Sequence, residues 1–323
     1  MDDVVWVDVG DGDEAALTHH AGPGEPVVLC HGISSNARFW DLAPDRSLAD
    51  WLVAQGYDVW NLDLRGHGVA ERGSDGKRQK AGWTVDDYGN GDLPAVFDTV
   101  LHATGAAKLH YVGHSMGGMV LAVYLASHAA PPLASAVIAG SPLDFRDPDP
   151  MWWGLLHGAP YVTLPGFLPT PFAARLLGAL GERAPLDADE FLYDRDNVAD
   201  KAMRRTMLHT VVSPVSRGEI KQFGLAKHGE FVSVDGSVKY REALDDVQVP
   251  MRFLAGRADR VVTPDRVWGY YEAVGTSEKD FIVVGDANGE VADYGHLDFG
   301  DGDRAATEVY PLVGEWLGAH AAH

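Results

Sequence analysis

The sequence predicts a doubly wound, mostly parallel α/β sheet that is interrupted by a mainly helical insertion. Short runs rich in β-branched residues alternate with helical runs in the first and last parts of the chain, as such a sheet requires. Apolar residues make up 46% of the 323 residues, which is enough to cover both faces of one large sheet with helices. A long middle stretch breaks the alternation and is too long for a connection within a compact sheet.

The predicted strands are short, mostly apolar runs. They lie near Val4–Val9, Val27–Cys30, Val59–Asp63, Leu109–Val112, Ala136–Ala139, Met251–Ala255 and Phe281–Val284. The predicted helices lie near Phe39–Gln55, Asp86–Thr104, Met116–His128, Pro264–Val274 and Arg304–Ala319. We therefore assign residues 1–140 and 248–323 to the two parts of the core. Residues 141–247 form the insertion, whose later part is predicted to be helical near Ala184–Leu192 and Val198–His209.

The pattern Gly-x-Ser-x-Gly at residues 113–117 is the strongest functional signal in the chain. It follows a predicted strand and precedes a predicted helix, which is the setting in which this pattern forms a sharp turn. Such a turn strains the serine backbone, and glycines on either side avoid collisions there. The turn exposes the hydroxyl of Ser115 at a helix N-terminus, where a developing negative charge is favoured.

A serine hydroxyl needs a base to remove its proton and an acid to orient that base. After a serine placed in this way, the expected order is an acidic residue and then a histidine. Asp259 and His296 each come just past a predicted strand and follow Ser115 in that order. Asp144 also follows a predicted strand, but its charged, proline-spaced neighbours favour an exposed loop. The sequence therefore predicts a triad of Ser115, Asp259 and His296, with Asp144 as the alternative acid.

Together these motifs resemble the α/β-hydrolase superfamily of serine hydrolases. Besides the serine turn, the chain contains an early strand that ends in His31-Gly32, a D-x-R-G-H-G turn at residues 63–68, and the acid-bearing pattern at residues 256–264. The resemblance implies an α/β-hydrolase fold in which the insertion is a mainly helical cap over the serine. It also implies an oxyanion hole built from the backbone N–H groups of Met116 and Ile33, with Ser34 as the alternative to Ile33.

A finer resemblance to the acid-lipase branch is found at residues 57–60 and at residues 296–299. The beginning of the insertion is rich in proline and aromatic residues, which favours an apolar substrate over a sugar or a polyanion. Most of these aromatic residues are expected only to hold the cap together. Trp152 and Trp153 are our candidates for the wall of the substrate pocket.

Charge and composition limit the partners. Lys and Arg total 26 and Asp and Glu total 47, which gives a net charge of −21 and disfavours nucleic acid and anionic membranes as partners. We find neither a transmembrane run nor a signal peptide, and we expect a cytoplasmic protein without stable membrane anchoring. The single cysteine, Cys30, is interpreted as a buried apolar residue. We expect no cofactor and no metal site, and the sequence does not indicate the oligomeric state.

These observations predict a serine hydrolase that cleaves apolar carboxylic esters with short to medium acyl chains. The same triad serves several reactions, so three alternatives remain open: a lipase acting on longer-chain acylglycerols, an acyltransferase and a carbon–carbon bond hydrolase. A binding protein that kept the fold without the chemistry is the least favoured interpretation, since the triad and both oxyanion positions are intact.

Overall fold

The computed structural model describes residues 3–146, 167–168, 170–171, 192–194, 196–198 and 201–321. Its central element, within these residues, is an eight-stranded sheet with the order β1-β2-β4-β3-β5-β6-β7-β8. The strands are β1 (Asp3–Asp8), β2 (Glu14–His20), β3 (Pro26–Cys30), β4 (Asp58–Asp63), β5 (Leu109–His114), β6 (Leu133–Ala139), β7 (Met251–Gly256) and β8 (Lys279–Val284). The fold class predicted from the sequence is confirmed.

The strands from β4 to β8 in the sheet order pair in parallel, and β1 and β2 add an antiparallel edge. Every residue of β3, β4, β5, β6 and β7 is buried, because helices cover both faces of a parallel sheet. Since parallel strands share one direction, β3, β5, β6 and β7 all end at the same edge of the sheet. Ser115 follows directly after β5 at this edge, and Asp259 lies in the loop after β7.

The second strand was not predicted. The segment Glu14–His20 contains two alanines and only one of the β-branched residues that mark strands, Thr18. It becomes a strand because it pairs with β1 on one side and β4 on the other. The tight turn Gly10–Gly12, in which Asp11 has a φ of 57°, brings it back against β1.

The helices form one layer on each face of the sheet. The longer ones are α1 (Leu48–Ala54), α2 (Leu93–Thr104), α3 (Met116–Ser127), α4 (Lys201–Thr210), α5 (Arg217–Leu225), α6 (Pro264–Ala273) and α7 (Tyr310–Ala319). Short helical turns also lie at Val85–Asp87, Tyr240–Ala243, Asp298–Asp301 and Ala305–Glu308. Buried residues of α2, α3 and α6 belong to one hydrophobic cluster, and those of α1 and α7 belong to the other. Ten consecutive residues of α3, Met116 to Leu125, are buried, so this helix is the central element of its layer.

Two predicted helices are shorter than the sequence pattern indicated. In place of Phe39–Gln55, a 3₁₀ turn and a small hairpin come first, and α1 begins only after Ser47, whose hydroxyl accepts a hydrogen bond from the Asp50 N–H at 2.9 Å. Pro44 lies between the two strands of that hairpin and interrupts the helical pattern. In place of Asp86–Thr104, a wide π turn separates a short first helix from α2.

Parts of the predicted insertion are described. Phe167–Leu168 pairs antiparallel with Val215–Ser216, and α4 lies close to the predicted Val198–His209. Two buried residues, Met207 of α4 and Val211 directly after it, pack into the same hydrophobic cluster as α1 and α7. Trp152, Trp153 and nearly all of the predicted helix Ala184–Leu192 lie outside the described residues. The division at residues 140 and 247 therefore stays a prediction.

Candidate active site

Ser115 lies at the sharp turn between β5 and α3. Its backbone has a φ of 51° and a ψ of −117°, a conformation that residues with side chains rarely adopt. The Ser115 N–H donates a hydrogen bond to the Ala139 carbonyl at 2.9 Å, which ties the turn to the end of β6. The hydroxyl is thereby held above the edge of the sheet where the parallel strands end.

Close approach of the backbone explains the two glycines of the turn. A Cβ atom at Gly117 would lie 2.7 Å from the Cys30 carbonyl oxygen, and one at Gly113 would lie 2.8 Å from the Gly118 nitrogen. Real Cβ atoms do not approach other heavy atoms so closely, and in both cases the obstacle is rigid backbone. The missing side chain at Gly117 therefore lets the serine turn fit against the end of β3, and the missing side chain at Gly113 lets it fit against the first turn of α3.

The structure brings Ser115, His296 and Asp259 together in one hydrogen-bonded chain. His296 Nε2 lies 3.0 Å from Ser115 Oγ, and His296 Nδ1 lies 2.8 Å from Asp259 Oδ2. This arrangement corresponds to the tautomer in which Nδ1–H donates to the carboxylate and Nε2 accepts from the hydroxyl. The exposed fractions are 7% for Ser115, 5% for His296 and 3% for Asp259, so all three residues are buried.

Asp259 is fixed by its own loop. Its second oxygen, Oδ1, accepts hydrogen bonds from the N–H groups of Val261 at 2.8 Å and Val262 at 2.7 Å. These two donors occupy Oδ1 and leave Oδ2 directed at the histidine. The carboxylate is therefore held in one orientation before any substrate is present.

Asp144 has other partners. Its carboxylate accepts hydrogen bonds from the Arg146 side chain at 2.9 Å, and the guanidinium of Arg241 lies 3.9 Å away. Partial burial raises the pKa of Asp144, but the hydrogen bonds and charges of the two arginines outweigh it and hold the pKa below its ordinary value. Asp259, and not Asp144, is the carboxylate within hydrogen-bond distance of His296.

The two predicted oxyanion residues lie beside Ser115. Met116 is the first residue of α3, so its N–H has no acceptor within the helix. On the other side, a Cβ atom at Gly32 would lie 3.0 Å from the Ser115 Cβ, so the loop after β3 touches the serine turn. Ile33 is the next residue of this loop, and Ser34 follows it with a φ of 55°. The side chain of Ile33 packs against Val215 and Ile220.

Two buried histidines brace the site and are not placed to act as the base. His31 Nδ1 donates to the Gly32 carbonyl at 2.8 Å, and His31 Nε2 accepts from the Leu64 N–H at 3.3 Å. His114 Nε2 donates to the His296 carbonyl at 2.8 Å. Burial, together with a neighbouring histidine in each case, lowers the pKa of both rings well below the ordinary value, so both are neutral at pH 7.

Cys30 lies at the end of β3 and is fully buried. Burial is the main cause that raises the pKa of its thiol to about 12, so the thiolate that would be needed for nucleophilic attack is not formed at neutral pH. Among the described residues, no group of three or more His, Cys, Asp or Glu side chains is arranged to hold a metal ion. None of the helices in the described part of the chain is long and apolar enough to cross a membrane.

Asp298 is a functional candidate that the sequence analysis did not identify. Its Oδ2 accepts the Gly295 N–H at 2.7 Å and the Asp194 N–H at 3.0 Å, so it joins the loop of His296 to a segment of the insertion. The side chain is fully buried, and burial is the main cause that raises its pKa to about 8. In the sequence, Asp298 lies two residues after His296, within the segment 296–299 that resembles the acid lipases.

A strained serine turn, a hydrogen-bonded histidine and acid, and strands ending at one sheet edge together define a hydrolase of the α/β class. The profile of the family described as "alpha/beta hydrolase fold" matches residues 25–303, and the chain belongs to this family. The structure also resembles an esterase from Thermogutta terrifontis, with a TM-score of 0.67, 18% identity, and coverage of 99% of this chain and 100% of that one. A bromoperoxidase from Bacillus anthracis gives the same TM-score and identity, with coverage of 98% and 100%.

Curated relatives match a shorter part of the chain. Triacylglycerol lipase 2 of Arabidopsis thaliana is 35% identical over 116 residues, which are 35% of this chain and 28% of that protein. The gastric triacylglycerol lipase of Bos taurus is 34% identical over 123 residues, which are 37% of this chain and 30% of that protein. The matched segment is thus less than a third of the length of either lipase, and the relation supports an ester hydrolase in general terms.

The raised pKa of Asp298 predicts a specific pH dependence of stability. The native state favours the protonated acid, whereas the unfolded chain ionises near pH 4. Asp298 therefore stabilises the fold fully only below about pH 4, and this contribution is lost as the pH rises towards 8. Asn keeps an oxygen for the two N–H donors and does not titrate. The unfolding free energy of the wild type should fall relative to that of Asp298→Asn between pH 5 and 8, with a limiting slope of about 1.4 kcal/mol per pH unit.

Chemical denaturation of both proteins at a series of pH values measures this difference. Parallel stability profiles for the wild type and Asp298→Asn over the whole range would contradict it.

Proposed function

We propose that this protein hydrolyses carboxylic esters through an acyl-enzyme on Ser115. The observation that carries the proposal is the continuous hydrogen-bonded chain from Ser115 through His296 to Asp259 at a strained serine turn. A serine in this position has its base within 3.0 Å before substrate arrives. The lipase relatives and the esterase neighbour agree with such an activity.

In the first step, Ser115 Oγ attacks the ester carbonyl carbon while His296 Nε2 takes the hydroxyl proton. The carbonyl oxygen becomes negatively charged, and the N–H groups of Met116 and Ile33 donate hydrogen bonds to it. Loss of one such donor typically costs about 3 kcal/mol of transition-state stabilisation. Asp259 accepts a hydrogen bond from the Nδ1–H group throughout, which keeps the ring in the productive tautomer and stabilises its charged form.

In the second half, His296 gives its proton to the leaving alcohol and the acyl group stays on Ser115. Water then attacks the acyl-enzyme while His296 again takes a proton, and His296 returns this proton to Ser115 Oγ as the Oγ–acyl bond breaks and the acid is released. All groups required for this sequence are side chains and backbone N–H groups of the chain itself. Release of the acyl group to water, and not to another alcohol, distinguishes this hydrolase from the acyltransferase alternative.

The substrate is proposed to carry an apolar acyl chain of short to medium length. Beside the oxyanion loop, Ile33 forms a small apolar cluster with Val215 and Ile220 of the insertion. Burying acyl methylenes against such surfaces is worth up to about 0.8 kcal/mol each. Trp152 and Trp153 remain candidates for the wall of the proposed substrate pocket. The bromoperoxidase neighbour shows that the fold also accommodates other activities, so carbon–carbon bond hydrolysis and action on longer acylglycerols remain alternatives.

Replacement of the nucleophile gives the first test. Ser115→Ala should abolish ester hydrolysis and labelling by a fluorophosphonate, with thermal unfolding nearly unchanged because the hydroxyl serves chemistry and not packing. Cys30→Ala is the matched control, and its turnover should stay within a few-fold of the wild type. Wild-type turnover by Ser115→Ala on an ester that the wild type cleaves would refute the proposal. Failure of the wild type to hydrolyse any ester or to react with the probe would favour a binding protein.

The same ester hydrolysis assay distinguishes Asp259 from Asp144 as the acid of the triad. Asp259→Asn should lower kcat by a factor on the order of 10³ to 10⁴, because the amide stabilises the wrong tautomer of His296. Asp144→Asn should stay within a few-fold of the wild type, since its carboxylate contacts Arg146 and Arg241 and not the histidine. The opposite ranking of the two variants would assign the acid to Asp144.

Chain-length preference tests the proposed substrate. On p-nitrophenyl esters of increasing acyl length, kcat/KM should rise with each methylene until the pocket is full and then level or fall. With such an acidic surface, activity should show no sharp increase when the substrate passes its solubility limit. A clear preference for emulsified long-chain triglyceride over soluble esters would support the lipase alternative instead.

A further inference from the structure

The segment that follows α4 forms a two-way hydrogen-bonded contact with the loop after β3. The Ser213 N–H donates to the Ser34 carbonyl at 3.0 Å, and the Ser34 hydroxyl donates to the Ser213 carbonyl at 3.0 Å. These two residues are 179 positions apart in sequence, and Ser213 is buried. The contact thus joins the core to the predicted insertion beside the proposed oxyanion hole.

The Ser213 side chain extends this contact to two more groups of the core. Its hydroxyl oxygen accepts hydrogen bonds from Asn36 Nδ2 at 3.2 Å and from the Gly68 N–H at 3.0 Å. Asn36 belongs to the same loop as Ser34, and Gly68 belongs to the turn after β4. One side chain of the insertion therefore fastens two loops of the core to each other.

Ser34 is held in a conformation that it does not favour. Its φ of 55° is a left-handed value that costs a residue with a side chain on the order of 1 to 3 kcal/mol. Such a conformation persists only where the surroundings over-determine it. At Ser34 these surroundings include Ser213, whose backbone N–H and carbonyl form hydrogen bonds with the Ser34 carbonyl and the Ser34 hydroxyl. Ile33, the proposed oxyanion donor, directly precedes this strained residue.

A second contact from the insertion reaches the same loop through His67. His67 Nδ1 donates to the Ser35 carbonyl at 2.8 Å, and His67 Nε2 lies 3.4 Å from Glu219 Oε1 of α5. Ser34, Ser35 and Asn36 are thus each tied, directly or through one residue, to the insertion. The insertion therefore supplies part of the set of contacts that fix the path of this loop, beside those made by the core.

We propose that Ser213 is a positioning residue for the oxyanion hole: through it the insertion holds the Ser34 turn and so orients the Ile33 N–H towards the ester oxygen. The inference rests on the proposed function. A residue with this role contributes to the stabilisation of the tetrahedral intermediate and leaves the binding of the uncharged substrate largely unaffected. Its loss should therefore lower kcat and leave KM nearly unchanged.

Ser213→Ala removes the hydroxyl that accepts from Asn36 and Gly68 and so releases the loop beside Ser34, while the two hydrogen bonds between Ser34 and the Ser213 backbone are retained. We expect kcat on a soluble p-nitrophenyl ester to fall by about 10- to 100-fold, less than the loss of a whole oxyanion donor, with KM within about 3-fold. A boronic acid that forms a tetrahedral adduct on Ser115 should lose affinity by a similar factor, since its oxygen occupies the oxyanion position. Ser213→Thr, which keeps the hydroxyl, should recover most of both losses.

Ser233→Ala is the matched control. Ser233 is also a buried serine of the insertion; its hydroxyl accepts the Val238 N–H at 2.9 Å and donates to Asp235 at 2.7 Å, without contact to the oxyanion loop. This variant should keep kcat and boronic acid affinity within a few-fold of the wild type. Ser34→Ala, which removes the donor on the other side of the contact, should lower kcat in the same direction and provides a second test if Ser213→Ala does not fold.

An active wild type whose Ser213→Ala and Ser34→Ala variants keep kcat and boronic acid affinity, even with a lowered melting temperature, would overturn this inference and leave the proposed function intact. A wild type that neither hydrolyses esters nor reacts with a fluorophosphonate would overturn both.

Discussion

The close approach of the serine turn to the end of β3 is the constraint on which the rest of the site depends. Because Gly117 carries no side chain, its backbone packs directly against the carbonyls of Cys30 and His31. The strained Ser115 is held at this position by its N–H bond to Ala139. The contact sets the distance between the hydroxyl and the loop that supplies the second proposed oxyanion donor. Helix α3 anchors the arrangement from below, since its first ten residues are all buried and leave it no exposed side there.

Around this rigid centre, the remaining groups are oriented by polar contacts from neighbouring loops. Asp259 is fixed by two N–H groups of its own loop, and His296 is fixed at its carbonyl by His114 and at the preceding residue by Asp298. Most of these contacts are buried, where a hydrogen bond is strong and an unpaired partner is costly. The candidate site thus has two layers: the residues proposed to react and the residues that hold them in position. The positioning layer includes segments of the predicted insertion.

The sequence was sufficient for the parts of the site that rest on local patterns. Ser115, Asp259 and His296 each follow a strand, and each lies in a short motif whose spacing reflects a local turn. Asp298 and Ser213 have no comparable signal, because their partners lie elsewhere in the chain: Asp194 is 104 positions from Asp298, and Ser34 is 179 from Ser213. The same reason applies to β2, whose sequence has only one β-branched residue and is a strand because two neighbours pair with it.

The separation of Ser115 from His296 by 181 residues has a consequence for the folding chain. The serine turn needs only β3, β5, β6 and α3, whereas the histidine arrives with the loop after β8, close to the C-terminal end of the sheet domain. A partly folded chain therefore carries a serine without its base, and such a hydroxyl is unreactive at neutral pH. Recovery of the proposed activity on refolding therefore requires this long-range contact in addition to the serine turn.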